Sequence, residues 1–164
     1  MYLILSDIHG SEEGVSLAEK AIAHYRPEGI LSAGDQCPDM FNTAFYSSLI
    51  SVRGNCDSYY EYVNLSFPPL SRELDIYGHR VVITHGDRFS EDDFDLKAGD
   101  IFITGHTHVP HLYEENGIYY CNPGSPSRPR SSEGPTAAVL SEEGLELFSL
   151  LDFSTISAIR FSLS

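Results

Sequence analysis

Five short apolar runs in this sequence each lead into residues of types that bind divalent metal ions, seven such side chains in all. Tyr2-Leu3-Ile4-Leu5 leads into Asp7-Ile8-His9, Ile30-Leu31 into Gly34-Asp35, and Ile50-Ser51-Val52 into Gly54-Asn55. Val81-Val82-Ile83 leads into His85, and Ile101-Phe102-Ile103 into Gly105-His106-Thr107-His108. Carboxylate, imidazole and carboxamide donors without neighbouring thiolates suit Mn, Fe, Co or Zn in an open, catalytic site better than a closed structural zinc site. Asp7, His9, Asp35, Asn55, His85, His106 and His108 exceed the four ligands of one tetrahedral ion. They would suit two ions about 3.5 to 4 Å apart that share a bridging carboxylate.

The elements that must position these residues are strands, because a short apolar run ending in a polar stop reads as a buried strand. In open α/β sheets, ligands collect at the carboxyl ends of such strands, so five endings of this kind suggest one shared site. Ser11 is a plausible N-cap, and Val15, Ala18, Ile22 and Tyr25 recur at helical spacing until Pro27 and Gly29, giving a β-α-β start. Met40, Phe41, Ala44, Phe45 and Leu49 suggest a second helix. Beyond Pro68-Pro69 the pattern is strand after strand: 74–77, 81–84, 101–104, 112–115, 118–121, 137–140 and 145–150. Asn116-Gly117 signals a tight hairpin, since both residues accept positive φ. Gly78 and Gly144 mark further turns, and 86–95 reads as a surface loop or short helix. Residues 122–135 read as a long ordered loop, and Ile159, Phe161 and Leu163 alternate as in a final half-buried strand.

The chain of 164 residues, 41% hydrophobic, is about one domain's worth and can bury a core unaided, so one domain over 1–164 is expected. Three cysteines, Cys37, Cys56 and Cys121, form neither an even set nor a Cys-x-x-Cys pair, which fits a reduced, cytoplasmic protein. Cys37 and Cys121 read as small buried hydrophobes, and His24 and His79 as solvated. No run approaches a spanning helix. The net charge of −14, with only two lysines, excludes a general nucleic-acid or anionic-membrane surface and favours a small substrate. The Tyr and Phe content permits a homo-oligomer without requiring one.

The order Asp7-x-His9, Gly34-Asp35, Gly54-Asn55-x-Asp57, His85-Gly86, Gly105-His106-x-His108 resembles the calcineurin-like metallophosphoesterases over nearly the whole chain. Arg53-Gly54-Asn55-Cys56-Asp57, Thr84-His85-Gly86 and Asn122-Pro123-Gly124-Ser125 are similar to their small bacterial and archaeal phosphodiesterase branch. The resemblance implies an α/β fold, a four-layer α/β/β/α sandwich with two mixed β-sheets. It also implies that Asp7, His9 and His108 hold one ion and Asn55, His85 and His106 the other, with Asp35 bridging them. Mn is the first expectation for the ions, with Ni, Fe, Co and Zn as alternatives. Four positive charges less the two of Asp7 and Asp35 leave an electropositive spot for a phosphoryl group, where a bridging hydroxide can attack in line.

The catalytic set is expected at Asn55, Cys56, Asp57 and His106, with Asp57 buttressing a ligand or the loop. Where many family members place a histidine near the leaving group, this chain has Cys56. A thiol is a poor substitute for that donor, which favours diesters over simple alkyl monoesters. Arg53 and Arg128 are expected to contact substrate phosphate, with Arg130 a further candidate. The alternatives are a phosphomonoesterase or nuclease with the same site, or a non-catalytic interaction module on this fold.

Overall fold

Tyr2–Leu5 forms β1, whose alternate side chains serve two faces: Leu3 and Leu5 on one, Ile4 on the other. Helix α1 (Glu12–Tyr25) follows, and Ser11 caps it by accepting from the Gly14 N–H at 3.1 Å. Arg26, in the left-handed region, ends it by donating its N–H to the Ile22 carbonyl. Val15, Ala18 and Ala21 lie in one buried cluster with Leu3, Leu5 and Phe148, which fixes the helix on the outer face of the first sheet. Ser11→Ala removes the cap and should lower stability by about 1 kcal/mol, read as a shifted urea midpoint at constant slope.

The chain returns as β2 (Gly29–Ser32), parallel to β1, and then β3 (Leu49–Ser51), parallel to β2. The helix expected from Met40 onward is shorter than its apolar pattern. Asp39 Oδ1 accepts from the N–H groups of Phe41 and Asn42, a local turn that competes with helix, so α2 spans only Thr43–Ser47. Met40 and Phe41 are left exposed.

The computed structural model, which describes residues 1–162, arranges its strands in two mixed sheets. The first has the order β11-β10-β9-β1-β2-β3, with β9 (Thr136–Leu140), β10 (Gly144–Ser149) and β11 (Thr155–Arg160) antiparallel. The second has the order β4-β5-β6-β8-β7, built from β4 (Ser71–Ile76), β5 (His79–Thr84), β6 (Ile101–Ile103), β7 (His111–Glu115) and β8 (Ile118–Asn122). Asn116 (φ 55°) and Gly117 (φ 79°) turn β7 into β8 as the sequence requires.

Between the sheets lies the larger core, including Ile4, Leu31, Val52, Ile83, Ile103 and Leu147. The far face of the second sheet, Val82, Phe102 and Tyr120, is covered by Phe94 and Leu96. The nearby helical structure there is a single 3-10 turn, Glu91–Asp93, so the fourth layer is thin. The α/β arrangement of two mixed sheets agrees with the expected sandwich.

Three expectations shift. The final strand ends at Arg160, because its partner β10 begins at Gly144 and that register exhausts the ladder. Phe161 then packs its ring on His79 and Tyr119, while Leu163 and Ser164 lie outside the described residues. His79 is consequently half-buried rather than solvated, with Nδ1 at 2.6 Å from the Gly99 carbonyl. Cys121 is buried as expected, but Cys37 is only half-buried. Among the described residues no helix is long and apolar enough to cross a membrane.

Candidate metal centre

β1, β2 and β3 are parallel neighbours in one sheet, and β5, β6 and β8 in the other. Their carboxyl ends meet across the sandwich, where the Ser125 hydroxyl donates to the Asp7 carbonyl and the Asn122 amide to the Gly105 carbonyl. All seven candidate ligands stand on these ends. Five of them occupy the left-handed backbone region: Asp7 (φ 58°), His9 (53°), Asp35 (55°), His106 (74°) and His108 (61°). That conformation costs a non-glycine residue about 1 to 2 kcal/mol, and such strain concentrates where side chains must be aimed.

The side chains converge. His9 Nε2 and His108 Nε2 are 3.2 Å apart, and Asp7 Oδ1 lies 3.3 Å from His108 and 3.7 Å from His9. Asp35 Oδ2 lies 3.2 Å from His85 Nε2 and 3.6 Å from His9 Nε2, between the two groups. Asn55 Oδ1 sits 3.0 Å from His85 Nε2 and 3.2 Å from His106 Nδ1. Two imidazoles are oriented from behind, His85 by the Ala33 carbonyl at 2.7 Å and His108 by the Arg128 carbonyl at 2.8 Å. An Nδ1–H donated to a carbonyl leaves Nε2 as a lone-pair donor pointing at the centre.

Asp7 shows most directly that the pocket is shaped for cations. Its Oδ2 accepts from the Ser6 hydroxyl (2.6 Å) and the His106 N–H (2.9 Å), whereas its Oδ1 is fully buried without any partner. A buried carboxylate oxygen with no donor is costly unless a cation completes it. Among the described residues one other buried side-chain atom lacks a partner, the Tyr46 hydroxyl, which lines a separate cavity of about 230 Å³.

Charge in the metal-free chain tells the same story. Burial alone would push His85 down, but the hydrogen bond and charge of Asp35, with the charge of Asp7, raise it from 6.5 to about 9. Burial likewise pushes Asp35 up, yet His85, the Cys56 N–H and His9 bring it from 3.8 to about 2. His85 therefore stabilises the metal-free fold fully below pH 6.5 and loses that effect as pH rises through about 9. The Asp35 contribution is present above 3.8 and is lost as pH falls through about 2. At pH 7 His85 holds a proton that any ion must displace. Metal binding should release it, and apparent affinity should climb between pH 7 and 9, as calorimetry in buffers of different ionisation enthalpy can read.

The outer supports were only partly legible. Asp57 accepts from the N–H groups of Asp35, Cys37 and Gly54 and from the Tyr62 hydroxyl, so it holds the β2 and β3 loops together rather than facing the cleft. Ser6, Gln36, Asn122, Ser125 and Ser127 do comparable work: Gln36 ties Ser32, Val52 and Tyr62 together, and Ser127 donates to the Ile8 carbonyl. No spacing signal singled out Ser6 or Gln36. Their sole sequence cue is adjacency to Asp7 and Asp35.

Above the donors opens a cleft of about 430 Å³, lined also by Cys56, Thr107, Arg128 and Arg130. Arg53, expected there, turns away. Its Nε donates to the Pro68 carbonyl at 2.9 Å and its guanidinium lies 4.2 Å from the centre of the Phe67 ring, a cation–π contact. Its place beside Gly54 in sequence does not bring its side chain to the substrate cleft. His111 is half-buried on β7 and is not part of the cleft lining.

A family model described as the calcineurin-like phosphoesterase superfamily domain matches residues 1–144. The chain belongs to that superfamily. Phosphodiesterase YfcE of Escherichia coli K12 is 27% identical over 98% of this chain and 97% of its own length. The solved structure of that E. coli phosphoesterase superposes with a TM-score of 0.87, covering 98% of this chain and 99% of the other. A probable metallophosphoesterase of Methanothermobacter thermautotrophicus is 32% identical over 88% of this chain and 87% of its own. Vacuolar protein sorting 29 of Cryptosporidium parvum shares the calcineurin-like fold at TM-score 0.72 and 21% identity, covering 99% and 97% of the two chains.

Proposed function

We propose that the protein is a metal-dependent phosphodiesterase acting on a small phosphodiester at a centre of two divalent ions, with Mn the first expectation. Asp7, His9 and His108 would hold one ion, Asn55, His85 and His106 the other, and Asp35 would bridge them. The observation that carries this reading is the continuous run of donors from His108 and His9, through the unpartnered Asp7 Oδ1 and Asp35, to His85, Asn55 and His106. The similarity to phosphodiesterase YfcE supports the choice of reaction.

Two divalent ions bound there would supply the positive charge that draws in a phosphoryl group and the acidity that makes water a nucleophile near neutral pH. The chain's own residues do the rest. Arg128 and Arg130, both on the cleft wall, would offer guanidinium donors to an incoming phosphodiester anion. Asp57 and Gln36 keep Asp35 and its loop from shifting as charge develops. Cys56 is exposed at the mouth, its thiol pushed up by burial and the Asp35 carboxylate, so it is a weak nucleophile and a weak proton donor. Without a strong donor for the leaving oxygen, diesters with good leaving groups should react better than alkyl monoesters.

The test uses metal-free protein reloaded with Mn, Ni, Co, Zn or Mg and assayed on paired chromogenic monoester and diester substrates. Metal-stimulated turnover with the diester preferred is expected. A strong monoester preference would overturn the diesterase assignment, and no turnover with any ion would leave the interaction-module reading instead.

A further inference from the structure

The position where this chain carries cysteine is also within reach of the ions. One donor atom each of His9, Asp35 and Cys56 lies within 4.8 Å of the other two, a spacing that a single divalent ion can span. The Cys56 backbone pins the side chain there, since its N–H donates to Asp35 Oδ1 at 2.8 Å. The Asn55 amide approaches Cys56 Sγ at 3.7 Å while its Oδ1 faces His85 and His106, so the sulfur receives a donor rather than pointing into solvent unopposed. His9 is shared: its Nε2 belongs both to this group and to the group of Asp7 and His108. The buried, unpartnered Asp7 Oδ1, 3.7 Å from the same His9 Nε2, calls for a cation beside His9 independently of the cysteine.

We propose that Cys56 is itself a metal ligand, its thiolate joining His9 and Asp35 on one ion of the centre. As the sulfur–metal bond forms, the thiol proton leaves to solvent, so ligation needs no oxidant or reductant. One flank of an otherwise nitrogen and oxygen site thereby becomes soft. The centre should discriminate by softness, favouring Cd, Zn and Co over Mn and Mg beyond what the other seven donors dictate. A thiophilic ion also occupies the sulfur that faces the substrate cleft, so Cd should hold tightly and obstruct substrate approach.

This inference rests on the metal-centre reading above, and cobalt spectroscopy separates the two. Metal-free protein is titrated with Co(II), following visible ligand-field bands, which report any bound cobalt, and the near-ultraviolet sulfur-to-cobalt charge-transfer band. Both should grow together in the wild type. In Cys56→Ser, an exposed and nearly isosteric change, the ligand-field bands should remain while charge transfer disappears; Cys37→Ser should keep both. In competition titrations Cys56→Ser should lose Cd affinity by about 10-fold or more while Mn affinity changes far less. Ligand-field bands without charge transfer in the wild type would overturn the inference, as would charge transfer that survives in Cys56→Ser. Absence of any cobalt signal would instead strike at the metal-centre reading.

Discussion

Asp35→Asn should reduce metal-stimulated diester turnover by more than about 100-fold, the upper end of what loss of a mere supporting group costs. The substitution keeps size and shape and removes one negative charge. Asp35 Oδ2 lies 3.2 Å from His85 and 3.6 Å from His9, nearer to both halves of the donor set than Asp7 Oδ1, which is 3.9 Å from His85 and 3.7 Å from His9. An amide there bridges two cations poorly, and its NH₂ would meet donors rather than acceptors. In the metal-free chain the same change removes the main partner that holds His85 near 9, so the His85 titration should move down toward its ordinary range. A ring-proton NMR titration reads that shift directly. The account requires lowered activity and a lowered His85 titration together, and full activity in Asp35→Asn would contradict the bridging role.

The second large effect is expected at Gly54. A Cβ built there would collide with Asp35 Oδ1 and lie 2.5 Å from the Asp35 backbone nitrogen and 2.7 Å from its Cγ. Those atoms cannot yield, because Asp35 is only 2% exposed and its N–H is bound to Asp57. Gly54→Ala must therefore displace either the carboxylate or the β3 loop. Overpacking of this kind costs about 1 to 3 kcal/mol. The displacement also falls on the proposed bridging ligand, so Mn affinity should drop by at least about tenfold even where the protein still folds. Thermal unfolding with and without Mn separates the two parts: a wild-type response to Mn in Gly54→Ala would show that the glycine matters for stability alone.

The candidate ligands were easier to read in the sequence than their setting. Asp7, Asp35, Asn55, His85 and His106 were legible because a buried parallel strand is written as an apolar run and the polar residue that stops it has one place to go. The contacts that tension the centre were not. Left-handed backbone at Asp7, His9, Asp35, His106 and His108 leaves no compositional trace, since none of these is glycine. Arg53 was misread because its neighbourhood in sequence says nothing of its direction, which Phe67 and Pro68 decide from another segment. The same limit applies to Met40 and Phe41, whose apolar pattern suggested helix while the Asp39 carboxylate made a turn. The length of β11 was set by its partner strand rather than by its own alternation.

Ser6 and Gln36 illustrate why support residues escape such reading. Each makes hydrogen bonds whose value depends on a buried partner, Asp7 Oδ2 for Ser6 and the Ser32 hydroxyl, Val52 carbonyl and Tyr62 hydroxyl for Gln36. Neither has a spacing of its own, because the partners come from loops that only the two-sheet arrangement brings together.

Two divalent ions held by the donors of this chain should drive phosphodiester hydrolysis. The most direct measurement of this is a titration of metal-free protein with Mn in which bound metal per chain and diester turnover are followed on the same samples. Saturation at two ions per chain is expected, with turnover rising as the second site fills. Saturation at two ions with no diester turnover, or full turnover in protein holding no metal, would contradict it.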